Sequence, residues 1–133
     1  MALRIEPELP EDIERDAAMA VDVIGHVRKR LGGGLPERFY HRAMEMEFAA
    51  RGAPVLSRPA VEVRYEGALL GEVFPDFLVG RGLVVELKAV ETLHPVHEAQ
   101  VLTYLAVTGR PLALLANLHA VPLGPGIRRY VRT

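Results

Sequence analysis

Asp76, Glu86 and Lys88 are the residues whose types and spacing best suit chemistry. Pro75-Asp76 is followed after nine residues by Glu86-Leu87-Lys88, with Gly80-Arg81-Gly82 between them. Read as a three-residue hairpin loop, the glycine-flanked triplet pairs Val79 with Leu83 and sets Asp76 directly opposite Glu86. Directly opposed side chains on antiparallel strands have Cβ atoms about 4.5–5.5 Å apart. Alternation puts Lys88 on the same face as both acids. The rest of the hairpin is mostly apolar (Val73, Phe74, Phe77, Leu78, Val79, Val84, Val85, Leu87). Facing carboxylates in such surroundings are costly, and one lysine neutralises only one of them. A divalent cation held by Asp76 and Glu86 removes the excess charge, and hard oxygen donors suit Mg2+ or Mn2+. Such an ion leaves room for a phosphate oxygen and an attacking water. Lys88 could then orient that water or steady the charge developing on phosphorus-bound oxygens. The plainer alternative is an Asp76–Lys88 or Glu86–Lys88 ion pair at an exposed sheet end, without metal.

The elements that must position these residues follow from periodicity. Pro10-Glu11-Asp12 opens a helix, with Ile13, Ala17, Ala20, Ile24, Val27 and Leu31 on one stripe and Gly32-Gly33-Gly34 as its stop. A second helix runs from about Pro36 to Arg51-Gly52, with Phe39, Ala43, Met46 and Ala50 as its expected apolar stripe. Val61, Val63 and Tyr65 alternate with Glu62, Arg64 and Glu66 as in a half-exposed strand. Strands are then expected over 71–79 and 83–90, a third helix over about 95–108, and a buried strand over 112–118, to which 127–131 would add a last strand at an edge. The order α-α-β-β-β-α-β, with or without that last strand, defines an α/β fold: a mixed β-sheet flanked by helices.

At 133 residues the chain is expected to form a single domain over 1–133 with one core. With half its residues hydrophobic and a quarter charged, it has a globular composition. It has no cysteine, which excludes disulfides and thiolate metal sites. A net charge of −1 argues against coating nucleic acid by bulk electrostatics but allows a local basic patch. Glu6, Glu8, Glu11, Asp12 and Glu14 are acidic; Arg28, Lys29, Arg30, Arg38 and Arg42 cluster soon after, and Arg128, Arg129 and Arg132 near the end. Each run taken alone reads as a solvated face. Met1-Ala2-Leu3-Arg4-Ile5-Glu6 lacks the apolar stretch of a signal peptide, and no run is long enough to span a bilayer. The expected address is cytoplasmic, with no membrane partner.

Phe74-Pro75-Asp76 followed by Val84-Val85-Glu86-Leu87-Lys88 resembles the signature of the PD-(D/E)XK nuclease superfamily. Gly34-Leu35-Pro36-Glu37-Arg38-Phe39-Tyr40 is similar to the G-x-x-E-x-x-Y motif of the GxxExxY proteins placed in that superfamily, and the likeness continues through His97-Glu98-Ala99-Gln100 and Tyr104. The resemblance implies a restriction-endonuclease-like sheet and adds Glu37 as a further acid at the metal site; from position alone Glu37 is equally a first-turn carboxylate on a helix dipole. It also implies that Gln100, four residues from Tyr104 on one helix face, holds the water, the lysine or a phosphate. Tyr104 is either a substrate contact or a half-buried helix–sheet tyrosine. Asn117-Leu118-His119 departs from the asparagine–aromatic–glycine pattern of relatives.

The expected activity is metal-dependent phosphodiester hydrolysis of DNA or RNA by Asp76, Glu86, Lys88, Gln100 and Glu37, with Tyr104, Arg38, Arg42 and Tyr40 as substrate contacts and Arg28 as a further phosphate contact. Cutting both strands of a duplex needs two sites, which a two-fold homodimer would supply. The rivals are a nuclease-like module that binds nucleic acid or protein without turnover, and an assembly subunit whose buried ion pairs fix register. Other signals are set aside. His94-Pro95-Val96-His97-Glu98 is not H-E-x-x-H and reads as exposed residues entering a helix. The triple glycine lacks the residues of a P-loop. His26 and His41 read as surface groups. With Ser57 the only serine, no serine–histidine–aspartate arrangement is expected.

Overall fold

The computed structural model describes residues 9–132. The residues at 1–6 and the acids Glu6 and Glu8 lie outside that range. Helix α1 (Glu11–Leu31) carries Glu11, Asp12 and Glu14 in its first turn and Arg28, Lys29 and Arg30 in its last, the charge order a helix dipole favours. Its stripe is buried as expected, with Val23 added, but Leu31 stays exposed. Helix α2 (Glu37–Ala50) is rotated from the expected stripe. Tyr40, His41, Met44 and Phe48 are buried, whereas Phe39 and Met46 are 46% and 59% exposed. Both sets recur at helical spacing, so periodicity alone does not choose between them. The sheet takes the face on which every apolar side chain is large, Tyr40, Met44 and Phe48, over the one that includes Ala43 and Ala50.

Strand β1 (Val55–Ser57), which alternation did not reveal, is an edge strand of the main sheet. β2 (Val61–Tyr65) and β3 (Ala68–Val73) form a separate two-stranded ribbon. The expected continuous strand over 71–79 is therefore two strands, β3 and β4 (Phe77–Val79), in different sheets. Pro75 explains the break: it has no N–H for a ladder, and it restricts Phe74 before it. β5 (Leu83–Lys88) ends at Lys88 rather than at 90. After α3 (Pro95–Thr108), capped by left-handed Gly109, come β6 (Leu112–Asn117) and β7 (Ile127–Val131). The main sheet has the order β1-β4-β5-β6-β7, with only β5 and β6 parallel. This is the mixed sheet flanked by helices of the restriction-endonuclease-like fold. No helix among the described residues is long and apolar enough to cross a membrane.

Alternation divides the core. Phe77, Val79, Leu83, Val85, Leu87, Leu112 and Leu114 pack against α1 and α2. Leu78, Val84, Ala113 and Leu115 pack against Val101, Tyr104 and Leu105 of α3. The β4–β5 turn is held from both sides. Arg81 donates to Asp12 of α1 at 2.6 and 2.9 Å, and a side chain at Gly82 would collide with Ile13. Part-buried Arg110 donates through one Nη to the carbonyls of Val79 (3.2 Å), Gly80 (2.9 Å) and Leu83 (3.0 Å). Arg110→Met keeps the apolar stem but strands these acceptors, so urea unfolding should show a loss of about 2–3 kcal/mol.

Candidate active site

The ladder pairs Phe77 with Val85, Leu78 with Val84 and Val79 with Leu83, the register read from the sequence. Asp76 lies one residue beyond the end of this ladder, where its carboxylate and that of Glu86 replace the missing rungs. The Asp76 amide donates to Glu86 Oε1 at 2.6 Å, and the Leu87 amide donates to Asp76 Oδ2 at 2.9 Å. Each acid thus takes a main-chain N–H from the strand of the other, which fixes both without a covalent link. Asp76 and Glu86 are 8% and 4% exposed. Burial first, then the adjacent Asp76 charge, pushes the Glu86 carboxyl up to about 8. Lys88, half-buried at the end of β5, pulls the other way.

Glu37 enters from the first turn of α2. Burial raises its carboxyl above the ordinary value and the charge of Asp76 adds to this, while Lys88 and Arg58 oppose it. Glu37, Asp76, Glu86 and Lys88 therefore share one electrostatic environment. On the α3 side, Tyr104 is largely buried. Its hydroxyl is raised by burial, then by the charges of Glu86 and Asp76, while a hydrogen bond with Gln100 opposes the shift. His97 is lowered by burial, then by the charges of Lys88 and His94. His94 and His97 cap the start of α3: Val96 N donates to His94 Nδ1 and His94 N to His97 Nδ1, a helix-entry role.

His41, expected at the surface, is 4% exposed. Its ring stacks on Phe77 at 4.4 Å, with Nδ1 3.0 Å from Asp76 Oδ1 and Nε2 2.9 Å from Ser57 Oγ. The sequence did hold a signal: His41 lies four residues after Glu37, on the same helix face. Ser57, His41 and Asp76 thus form the serine–histidine–aspartate row that the sequence reading excluded. The row does not end in a nucleophile, because Ser57 Oγ donates to Glu45 Oε2 at 2.5 Å. With that hydroxyl proton given away, the ring donates through Nε2. Its contact with Asp76 then needs a second proton, so the row is satisfied with His41 cationic or Asp76 protonated. His41→Ala removes the stacking ring and a partner of a buried carboxylate. We expect a loss of about 2–4 kcal/mol in urea unfolding, partly recovered by His41→Gln.

The remaining candidates separate. Tyr40 is fully buried; its hydroxyl donates to Gly32 O at 2.6 Å and accepts from Leu35 N at 3.0 Å, so it organises the α1–α2 turn and faces no open surface. Arg28 donates to Ala120 O at 2.6 Å, which places it in the fold. Arg38 and Arg42 are exposed on α2, Arg38 4.8 Å over the Phe39 ring and Arg42 3.4 Å from Glu45. His26, half-buried, lies 3.7 Å from Glu47. Arg58, which no pattern singled out, is exposed beside Glu37 and has φ +47°, a left-handed backbone that costs a non-glycine residue energy. Its amide donates to Asp76 O at 2.8 Å.

Two buried, opposed carboxylates beside a lysine, with Glu86 raised by burial and by the Asp76 charge, are a hard-oxygen donor set, and they fit a divalent cation. Asp76 already has a partner at each oxygen, and among the described residues no group of three acids or histidines stands ready as a metal cage. A resident ion would rely on Asp76 and Glu86 with water as the other ligands, an arrangement usual for magnesium.

A family model of the PD-(D/E)XK nuclease superfamily matches residues 14–130. The chain belongs to that superfamily. Comparison with curated proteins found no match, and comparison with solved structures found none. Nucleases of this superfamily generally use divalent metal ions, and the family implies a nucleic-acid substrate.

Proposed function

We propose that the chain is a single-domain, metal-dependent nuclease that hydrolyses nucleic-acid phosphodiesters at the Asp76–Glu86–Lys88 site, and that within the superfamily it sits with the GxxExxY proteins. The observation that supports this reading most is the Asp76–Glu86 exchange of main-chain hydrogen bonds, which fixes two buried carboxylates beside a lysine. Asp76 and Glu86, with Glu37 beside them, would hold Mg2+ or Mn2+. When bound, such an ion supplies Lewis-acid charge and a water acidified toward neutral pH. Lys88 orients the nucleophile and steadies the negative charge that grows on the phosphoryl oxygens. Gln100 supports Lys88 or the water through its amide. Tyr104, Arg38, Arg42 and Arg58 contact the substrate backbone; strain at Arg58 is consistent with a side chain held for this purpose. Action on both strands of a duplex would use two copies.

A second reading, a nuclease-like module that binds without turnover, is favoured by the protein partner that each Asp76 oxygen already holds. The deciding experiment incubates the protein with single- and double-stranded DNA and RNA in magnesium, manganese or EDTA. Cleavage that needs the ion and disappears in Lys88→Ala and Glu86→Ala supports the enzyme. Binding without cleavage of any substrate supports the module.

A further inference from the structure

The ribbon of β2 and β3 stands outside the main sheet, and an isolated two-stranded ribbon is marginal in water. Val61 and Val73, at its base, pack against the α3-side core. Beyond that base Tyr65, Leu69 and Leu70 are 64%, 54% and 66% exposed. The two edges of the ribbon differ. On β3 the register jumps: Val63 faces Gly71 and Arg64 faces Leu69, leaving Leu70 as an extra, bulged residue. A bulge twists an edge away from further pairing. β2 has no extra residue, and among the described residues no backbone hydrogen bond joins 61–65 to anything outside the ribbon.

The five residues of β2 are self-complementary. In an antiparallel pair of two copies centred on Val63, residue numbers at opposed positions sum to 126. Val63 then meets Val63, Val61 meets Tyr65, and Glu62 meets Arg64 twice. One face gains a valine pair and two valine–tyrosine pairs; the other gains two opposite-charge pairs, all favourable across strands. Glu62 and Arg64 already lie 2.7 Å apart within one chain, so the second copy extends each pair into a four-residue alternating network. Any one-residue slip puts valines opposite charges and loses the match.

The geometry points to the β2 edge as a two-fold interface between copies of this chain, forming a four-stranded sheet β3-β2-β2-β3. The interface stands independently of the nuclease reading, since its test measures association alone. Sedimentation equilibrium of the full chain should give a dimer. Glu62→Arg and Arg64→Glu, each alone, place like charges at both opposed pairs and should weaken the dimer roughly tenfold or more. Mixing the two singly substituted chains makes every opposed pair opposite in sign, so a heterodimer should form. A chain carrying both substitutions should pair with itself. A monomeric wild type, a dimer unaffected by either single substitution, or a failure of the mixed and double arms to associate with all chains folded by circular dichroism would each overturn the inference.

Discussion

Replacing Lys88 with alanine should reduce metal-dependent cleavage of nucleic acid by about 10²–10³-fold with little change in substrate binding, the scale expected for losing one charge stabiliser of a transition state. Lys88 follows two residues after Glu86 on the same strand, and its charge acts on both Glu86 and Glu37. Its removal also leaves Glu86 without the cation that opposes its raised carboxyl and leaves Glu37 with Arg58 alone, which distinguishes it from a surface lysine. Glu86→Ala should be more severe, because the Asp76 amide loses its acceptor along with the ligand. Rates measured at saturating and limiting substrate separate the two effects: Lys88 acts on kcat, whereas loss of Glu86 also raises the ion concentration needed. Unchanged cleavage by Lys88→Ala would sink the mechanism.

The second large effect concerns pH. Glu86 titrates near 8 in the folded protein against an ordinary 4.5, so between those values the folded state keeps a proton that the unfolded chain releases. Stability from this group is complete below about pH 4.5 and falls as pH rises through about 8. Glu37, raised by burial and by Asp76, adds in the same direction. Each unit of pKa difference is worth about 1.4 kcal/mol, so unfolding in EDTA should reveal a loss on the order of a few kcal/mol across the window. Asp12 and Glu14, lowered by hydrogen bonds from Arg81 and Arg129, act in the opposite sense and only on the acid side. Glu86→Gln keeps an oxygen for the Asp76 amide and removes the charge. It should flatten the alkaline limb and stabilise the metal-free protein at pH 8 while removing cleavage. A divalent ion needs the carboxylate form, so its affinity should climb with pH toward 8. An alkaline limb that Glu86→Gln leaves unchanged would refute this account.

The hairpin was legible because two independent features agree, a glycine-flanked triplet and an apolar alternation that fix one register. The break at Pro75 was legible in principle, since proline rarely continues a strand, but the apolar residues around it read through as one run. The buried face of α2 was not legible. Stripes through Phe39 and through Tyr40 satisfy the same period, and only contact with the sheet separates them. Ser57 and Arg58 were invisible for another reason. They come to the site through the pairing of β1 with β4, which joins Ser57 to Phe77 across 20 positions that no local pattern encodes.

Asn117, the one position of Asn117-Leu118-His119 that keeps the pattern of relatives, has a consequence for motion. Its side-chain amide accepts from Val90 N at 3.1 Å and donates to Val90 O at 2.8 Å, and Leu118 N donates to Lys88 O at 2.8 Å. An amide side chain thus serves as one more strand residue after β5 and β6 have ended. Strand ends are where chains ordinarily fray, with opening free energies near zero. Here the end that carries the lysine is spliced closed, so its main chain opens only when the central sheet does. Whatever adjusts in the site as a substrate arrives must be the four-carbon stem of Lys88, hinged on a backbone that does not yield.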